Sequence, residues 1–209
     1  MIAIVDYGMA NLRSVEKALA RVGGDPVITR DPQVVAEAEK VVLPGVGAFC
    51  AAMSNLTRSG LHEAVLHAIA QGRPFLGICL GLQMLFEEST EMGRTPGLGV
   101  LPGRVVEFFA EGDRPPEADG LKVPHIGWNA LHLCGGSRLF QGVDEGAYVY
   151  FVHSYYPQPQ EAGVVAATSD YGGAFCCAIE RGNLAATQFH PEKSGAVGLQ
   201  ILRNFVSWK

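Results

Sequence analysis

The sequence predicts an α/β protein: a doubly wound, mostly parallel sheet flanked by helices, followed by an antiparallel C-terminal half. Three observations carry this. Over the first ninety residues, short β-branched apolar runs alternate with helical periodicity, the pattern of parallel strands joined by crossover helices. From about Leu98 onward, strand-like runs follow one another with only turns between them, as in antiparallel sheets. The length of 209 residues, set against roughly 150 for a typical domain, fits a single domain over 1–209 with room for a large core.

Residues 2–5 form the first strand, and Asp6 follows with no basic leader, so the chain opens in the core rather than as a signal peptide. Leu12, Val15, Leu19 and Val22 then recur at three- and four-residue steps until Gly23-Gly24 stops a helix. Val27-Ile28 is a second strand and 41–43 a third. The stretch 41–57 as a whole reads as strand, loop and helix start, because Pro44, Gly45, Gly47, Ser54 and Asn55 interrupt it. A helix over 61–69 and a strand over 74–78 come next, followed at once by a helix over 80–86. Farther on, 104–109, 148–155, 164–168, 175–180 and 184–187 read as strands. The acidic, proline-containing segment 111–120 reads as a solvated loop or hairpin tip. Val197, Ile201, Phe205 and Trp208 mark a closing amphipathic helix.

Composition removes several function classes. Hydrophobic residues make up 48% and charged residues 18%, too apolar for a disordered chain, yet no run of about 18 apolar residues suggests a membrane span. The net charge of −5, without a basic cluster interleaved with aromatics, argues against nucleic acid as a partner. Five cysteines, an odd number with no Cys-x-x-Cys, read as reduced thiols in a cytoplasmic protein. His62 and His67 are five residues apart, which puts them on different faces of a helix, so no metal site is expected. Gly45-x-Gly47-x-x-Cys50 lacks the third glycine of a dinucleotide fingerprint, and there is no phosphate-binding loop ending in Gly-Lys, so no nucleotide cofactor is expected either.

One local pattern points to chemistry. The apolar strand 74–78 runs into Gly77-Ile78-Cys79-Leu80-Gly81 and directly into a helix, which is a nucleophile elbow with cysteine in place of serine. Glycines on either side of Cys79 remove side chains that would clash in so tight a turn, the helix amino terminus would favour the thiolate, and the Leu80 amide would face the reacting carbonyl. A base is offered where strand 184–187 leads into Gln188-Phe189-His190-Pro191-Glu192. In an extended stretch, residues two apart project to one side, so Glu192 can hold the His190 imidazole. Donors for an oxyanion are offered by the turn Pro44-Gly45-Val46-Gly47, whose glycines let backbone amides face a substrate and allow more than one peptide orientation. On spacing alone, Cys79 also fits a buried structural cysteine and the glycine turn an ordinary strand-to-helix connection. A stand-alone cysteine hydrolase and a catalytically silent binding subunit both remain compatible with these residues.

The pairing of Gly77-Ile78-Cys79-Leu80-Gly81-Leu82-Gln83 with Gln188-Phe189-His190-Pro191-Glu192 resembles the class I (triad) glutamine amidotransferases. Three further stretches, residues 6–14, 122–129 and 150–155, together with Lys193-Ser194, are similar within that family to the glutaminase subunits of imidazole glycerol phosphate synthase. Ala10 stands where many members carry glycine, and Leu82 where glutaminases of anthranilate-type synthases, the nearest rivals, usually show histidine. The resemblance implies the class I amidotransferase fold and hydrolysis of L-glutamine to glutamate and ammonia, the ammonia passing to a separate (β/α)8-barrel cyclase subunit in a heterodimer. It further implies catalytic roles for Cys79, His190 and Glu192, an oxyanion hole at the amides of Gly47 and Leu80, glutamine binding at Gln83, Ser154 and Tyr155, and a partner surface at Asn11, Trp128, Tyr150 and Lys193.

Overall fold

A computed structural model describes residues 1–110 and 114–208. Its first half consists of β1 (Ile2–Val5), α1 (Leu12–Arg21), β2 (Pro26–Thr29), α2 (Pro32–Glu37), β3 (Lys40–Gly45), α3 (Phe49–Arg58), α4 (Leu61–Ala70), β4 (Phe75–Cys79) and the one-turn helix α5 (Leu80–Gln83). The second half contributes β5 (Phe86–Ser89), β6 (Thr95–Pro96), β7 (Leu101–Glu107), β8 (His125–Ala130), β9 (His132–Leu133), β10 (Tyr148–His153), β11 (Tyr155–Pro159), β12 (Val165–Asp170), β13 (Ala174–Arg181), β14 (Leu184–Thr187) and the final helix α6 (Gly195–Ser207). None of the helices among the described residues is long and apolar enough to cross a membrane.

The main sheet has eight strands in the order β2-β1-β3-β4-β14-β13-β12-β9. Pairing is parallel from β2 to β14 and antiparallel from there to β9. Strand alternation splits the core between the two faces. Ile2 and Ile4 share one apolar cluster with Val15 and Leu19 of α1 and Ile201 and Phe205 of α6. Ala3 and Val5 share the other with Val35, Phe49, Leu56, Leu61 and Val65 of α2 to α4. Each fully buried leucine or phenylalanine in these layers contributes about 1.5–3 kcal/mol.

Most expected elements are found, with instructive departures. Gly23, at φ +89°, ends α1 and donates to the carbonyl of Ala20. Helix α2 goes unread because it is short and carries little periodicity, although the Asp31 cap, which accepts from the amide of Gln33 at 2.9 Å, and Pro32 at its first position are visible start signals. The helix expected over 80–86 stops after one turn. The carbonyls of Met84, Leu85 and Phe86 accept hydrogen bonds from residues 98–101, and Phe86 enters a small sheet beside β7. Non-local pairing thus outcompetes the helical periodicity of residues buried on all sides. The strand expected over 148–155 is broken by a bend at Ser154, so β10 and β11 belong to different sheets. The C-terminal half is not wholly antiparallel either: β14 inserts as a parallel neighbour of β4, and β5 runs parallel to β7. Of the segment 111–120, residues 111–113 lie outside the described residues, and Pro116–Ala118 is a 3-10 turn.

The β8–β10 ribbon turns one face inward. Its buried side pairs His125 with His153, and the two rings lie 3.0 Å apart, Nδ1 to Nε2. The Tyr155 carbonyl accepts from His153 Nδ1 at 2.9 Å, and Asn129, anchored on the Asp170 carbonyl, faces His125 Nε2 at 3.4 Å. Because a carbonyl can only accept, His153 carries a proton on Nδ1. Burial lowers the pKa of His125 from 6.5 to about 4 and that of His153 to about 3.

Two consequences can be measured. A Cβ at Gly81 would overlap the Leu43 carbonyl, whereas one at Gly163 would meet open space. Gly81→Ala should therefore cost about 3 kcal/mol or more in urea unfolding, with Gly163→Ala within about 0.5 kcal/mol of the parent. Below pH 6.5 the unfolded chain binds protons that the folded His125 and His153 refuse, so stability must fall as pH drops from 6.5 toward 4. The urea midpoint of His153→Gln should decline less steeply over that range than the parent's, and parallel curves would show that the pair is not responsible.

Candidate active site

At the carboxyl end of β4 the chain reverses into α5 with Cys79 at φ 55°, ψ −109°, a conformation that costs a non-glycine residue about 1–3 kcal/mol. The surrounding glycines make it attainable. A Cβ on Gly77 would lie 2.8 Å from the Gly81 carbonyl oxygen, and Gly81 itself packs against the Leu43 carbonyl of β3. Gly45, opposite Cys79 in the β3–β4 register, leaves the space filled by the Tyr7 hydroxyl and the Leu80 side chain. The expectation that both Gly45 and Gly47 give the loop freedom is thereby corrected: Gly45 is a packing glycine, and only Gly47, at φ +93°, uses a glycine conformation. The neighbouring Val46 amide donates to the Met9 carbonyl at 3.2 Å.

The expected helix dipole behind Cys79 is also reduced, since a single turn aligns few peptide units. What faces the sulfur instead is His190, at the end of the segment after β14. Its Nδ1 lies 2.8 Å from Glu192 Oε1, and both side chains are almost wholly buried. The two meet because Pro191–Lys193 forms a 3-10 turn, not through the extended spacing anticipated. Burial is the largest influence on His190 and pulls its pKa down, but attraction to Cys79 and to Glu192 outweighs it and lifts the value from 6.5 to about 10. The ring is therefore held as imidazolium at neutral pH. Its Nε2 makes no well-formed hydrogen bond, leaving a proton directed toward the sulfur and the space beside it.

Cys79, Leu80, His190, Val46, Gly47, Gln83, Glu91, Ser154 and Tyr155 line one cavity of about 360 Å³. The Leu80 amide, at the first position of α5, has no acceptor within the helix, and Gly47 borders the same space. Gln83 is committed more tightly than its expected substrate role suggests: Nε2 donates to the Tyr155 carbonyl at 2.9 Å and to Gln188 Oε1 at 3.0 Å, so only its Oε1 is left to accept from a ligand. Ser154 reaches the cavity because the bend between β10 and β11 falls on it. Glu91 was missed in the sequence. It follows β5 in an unpatterned turn, accepts from the Phe49 amide at 2.6 Å, and brings a carboxylate to the wall. No spacing signal marks it.

Three of the four expected partner residues gather on the β8–β10 ribbon and the turn beside His190. Trp128 (55% exposed) and Tyr150 stack edge to face across the β8–β10 ribbon, and Lys193 Nζ lies 5.8 Å over the Tyr150 ring. With Ile126 and Tyr148, both 60% exposed, they form an outward apolar face. Asn11 precedes α1, which packs on the Pro191–Lys193 turn, and its side chain makes no capping bond. Backbone links join this face to His190: its amide donates to the Tyr150 carbonyl at 3.0 Å, and the Ser194 hydroxyl accepts from the Tyr150 amide while donating to the His190 carbonyl.

A test of the electrostatics follows. Glu192→Gln keeps the shape of the His190 contact but removes the charge that supports the imidazolium, so thiol alkylation at Cys79 near pH 7 should slow about tenfold. An unchanged rate would show that Glu192 does not govern the pair.

The glutamine amidotransferase class-I family model matches residues 3–208. Among solved structures, a glutamine amidotransferase superposes with TM-score 0.73 at 20% identity, covering 98% of this chain and 96% of that one. PurLQS from Thermotoga maritima superposes with TM-score 0.74 at 18% identity, with coverage of 98% and 96%. These two show the shared fold. In sequence the chain is similar to imidazole glycerol phosphate synthase subunit HisH of Syntrophotalea carbinolica, 57% identical with 98% of each chain covered. It is also similar to the subunits HisH of Geobacter metallireducens, 58% identical over 98% of this chain and 96% of that one, and Methanothermobacter thermautotrophicus, 52% identical over 99% and 98%. The chain belongs to the class-I glutamine amidotransferase family, within its group of imidazole glycerol phosphate synthase subunits HisH.

Proposed function

We propose that the chain is the glutaminase subunit of imidazole glycerol phosphate synthase, hydrolysing L-glutamine to glutamate and ammonia and delivering the ammonia to a separate (β/α)8-barrel cyclase subunit in histidine biosynthesis. The observation that carries the chemistry is the strained Cys79 elbow facing an imidazolium locked by a buried carboxylate. The Cys79 thiolate attacks the side-chain amide carbon of glutamine, and the carbonyl electrons move to an oxyanion held by the amides of Gly47 and Leu80, each worth about 3–4 kcal/mol. His190 gives its Nε2 proton to the amide nitrogen, the carbon–nitrogen bond breaks, and ammonia leaves a thioester on Cys79. Now neutral, His190 takes a proton from water as the water attacks the thioester through a second oxyanion. Carbon–sulfur cleavage then releases glutamate and restores the thiolate–imidazolium pair. Glu192 keeps the ring oriented and offsets its charge.

At the other end of the substrate, the Glu91 carboxylate and the free Gln83 Oε1 suit an α-ammonium, with Ser154 and Tyr155 closing the wall. Trp128, Tyr150, Lys193 and Asn11 form the surface offered to the cyclase. Docking there acts on the site along the Tyr150–His190 and Ser194 hydrogen bonds and on the half-exposed Val46–Gly47 peptide, which turns its amide into the oxyanion hole when the partner is bound. Five free cysteines fit a reducing, cytoplasmic setting.

Glutamate release should be low for the purified chain and rise strongly with equimolar barrel cyclase and its nucleotide ligand. Activity indifferent to the partner would indicate a free-standing cysteine hydrolase or the glutaminase of another synthase. Cys79→Ala should abolish release while leaving cyclase binding intact, and loss of binding as well would make Cys79 structural. Trp128→Ala should weaken the complex by about 2 kcal/mol or more, as expected of a central aromatic anchor, measured by titration calorimetry.

A further inference from the structure

Gln188 is fully buried two residues before His190, and its backbone amide is pinned to the Cys177 carbonyl at 2.8 Å. Its side chain touches the candidate nucleophile: Nε2 lies 3.7 Å from Cys79 Sγ. The direction of this contact is set from a distance. The atom of Gln83 facing the Tyr155 carbonyl must be its nitrogen, because a carbonyl only accepts. That nitrogen spends its second hydrogen on Gln188 Oε1, which turns Gln188 Nε2 toward the sulfur. A carboxamide nitrogen accepts nothing, so the sulfur must be the acceptor here. The unpartnered Nε2 of the His190 imidazolium is the second N–H donor beside the same sulfur.

From this relay, Tyr155 carbonyl to Gln83 to Gln188 to Cys79, we infer that Gln188 is a positioning residue for the nucleophile. It donates to the Cys79 sulfur and ties the aim of the nucleophile to the substrate wall. The inference rests on the proposed role of Cys79 as nucleophile. Two variants remove the donor: Gln188→Met, of similar length, and Gln188→Glu, which keeps an oxygen to accept from Gln83 but turns a carboxylate toward the sulfur.

In the complex with the cyclase, both should lower kcat for glutamate release at least about tenfold, the loss of one hydrogen bond to a charged atom, with KM for glutamine changed by less than about threefold. Iodoacetamide labelling of Cys79, followed on its tryptic peptide, should slow about tenfold at pH 7, with its rate–pH curve displaced to higher pH. Should Gln188→Met fail to fold, Gln188→Glu reads the same quantities. Parental kcat and labelling in a folded variant would overturn the inference. Cys79→Ala, assayed alongside, separates the two claims: if it still released glutamate the proposed function would fall, while the labelling comparison would still decide the Gln188 contact.

Discussion

The close approach of Gly81 to the Leu43 carbonyl is the constraint from which the site is built. With no side chain between them, the start of α5 lies directly on β3. Cys79 is thereby forced into its positive-φ turn, and Leu80 comes down over Gly45. The strain at Cys79 is sustained by packing on both sides: Ala186 of β14 against Gly77, and Leu43 against Gly81. Because β3 and β4 are parallel neighbours, the same contact sets the glycine turn beside the sulfur. One steric requirement thus positions the thiol, an amide of α5 and the Gly45–Gly47 turn together.

Around that frame, burial produces opposite results for chemically identical groups. His125 and His153 face aromatic rings, neutral nitrogen atoms and backbone carbonyls, so desolvation prevails and both stay neutral. His190 is just as enclosed but has a carboxylate on one nitrogen and a sulfur near the other, and in a poorly screened interior those charges overcome the desolvation cost. His153 also lines the cavity, so its neutrality spares the His190 imidazolium a like charge nearby.

The β8–β10 ribbon links the outside to His190. Its outward face carries Ile126, Trp128, Tyr148 and Tyr150, its inward face the neutral histidine pair, and its Tyr150 backbone is bonded to the His190 backbone. A rigid-body displacement of the ribbon would be transmitted by hydrogen bonds rather than by loose contacts. Ser194, buried and bonded to both segments, adds a second link beside the direct one.

The sequence by itself determined the parallel half of the sheet, because strands such as 2–5 and 41–43 and the α1 stripe bury faces whose periodicity is local. It also determined the nucleophile elbow and the His190–Glu192 pair, which depend on residue types at short spacing around Cys79 and His190. Only the tertiary structure decided where competing partners prevail. The helix after Gln83 ends because residues 98–101 claim the carbonyls of Met84 to Phe86, and the strand through Ser154 breaks because its two halves pair with different sheets. Glu91 came to the cavity wall and Gln188 to the Cys79 sulfur through contacts 42 and 109 residues away along the chain, with Phe49 and Cys79. No local pattern encodes such meetings: the hydrogen bonds that set them exist only once the sheets have closed around the site.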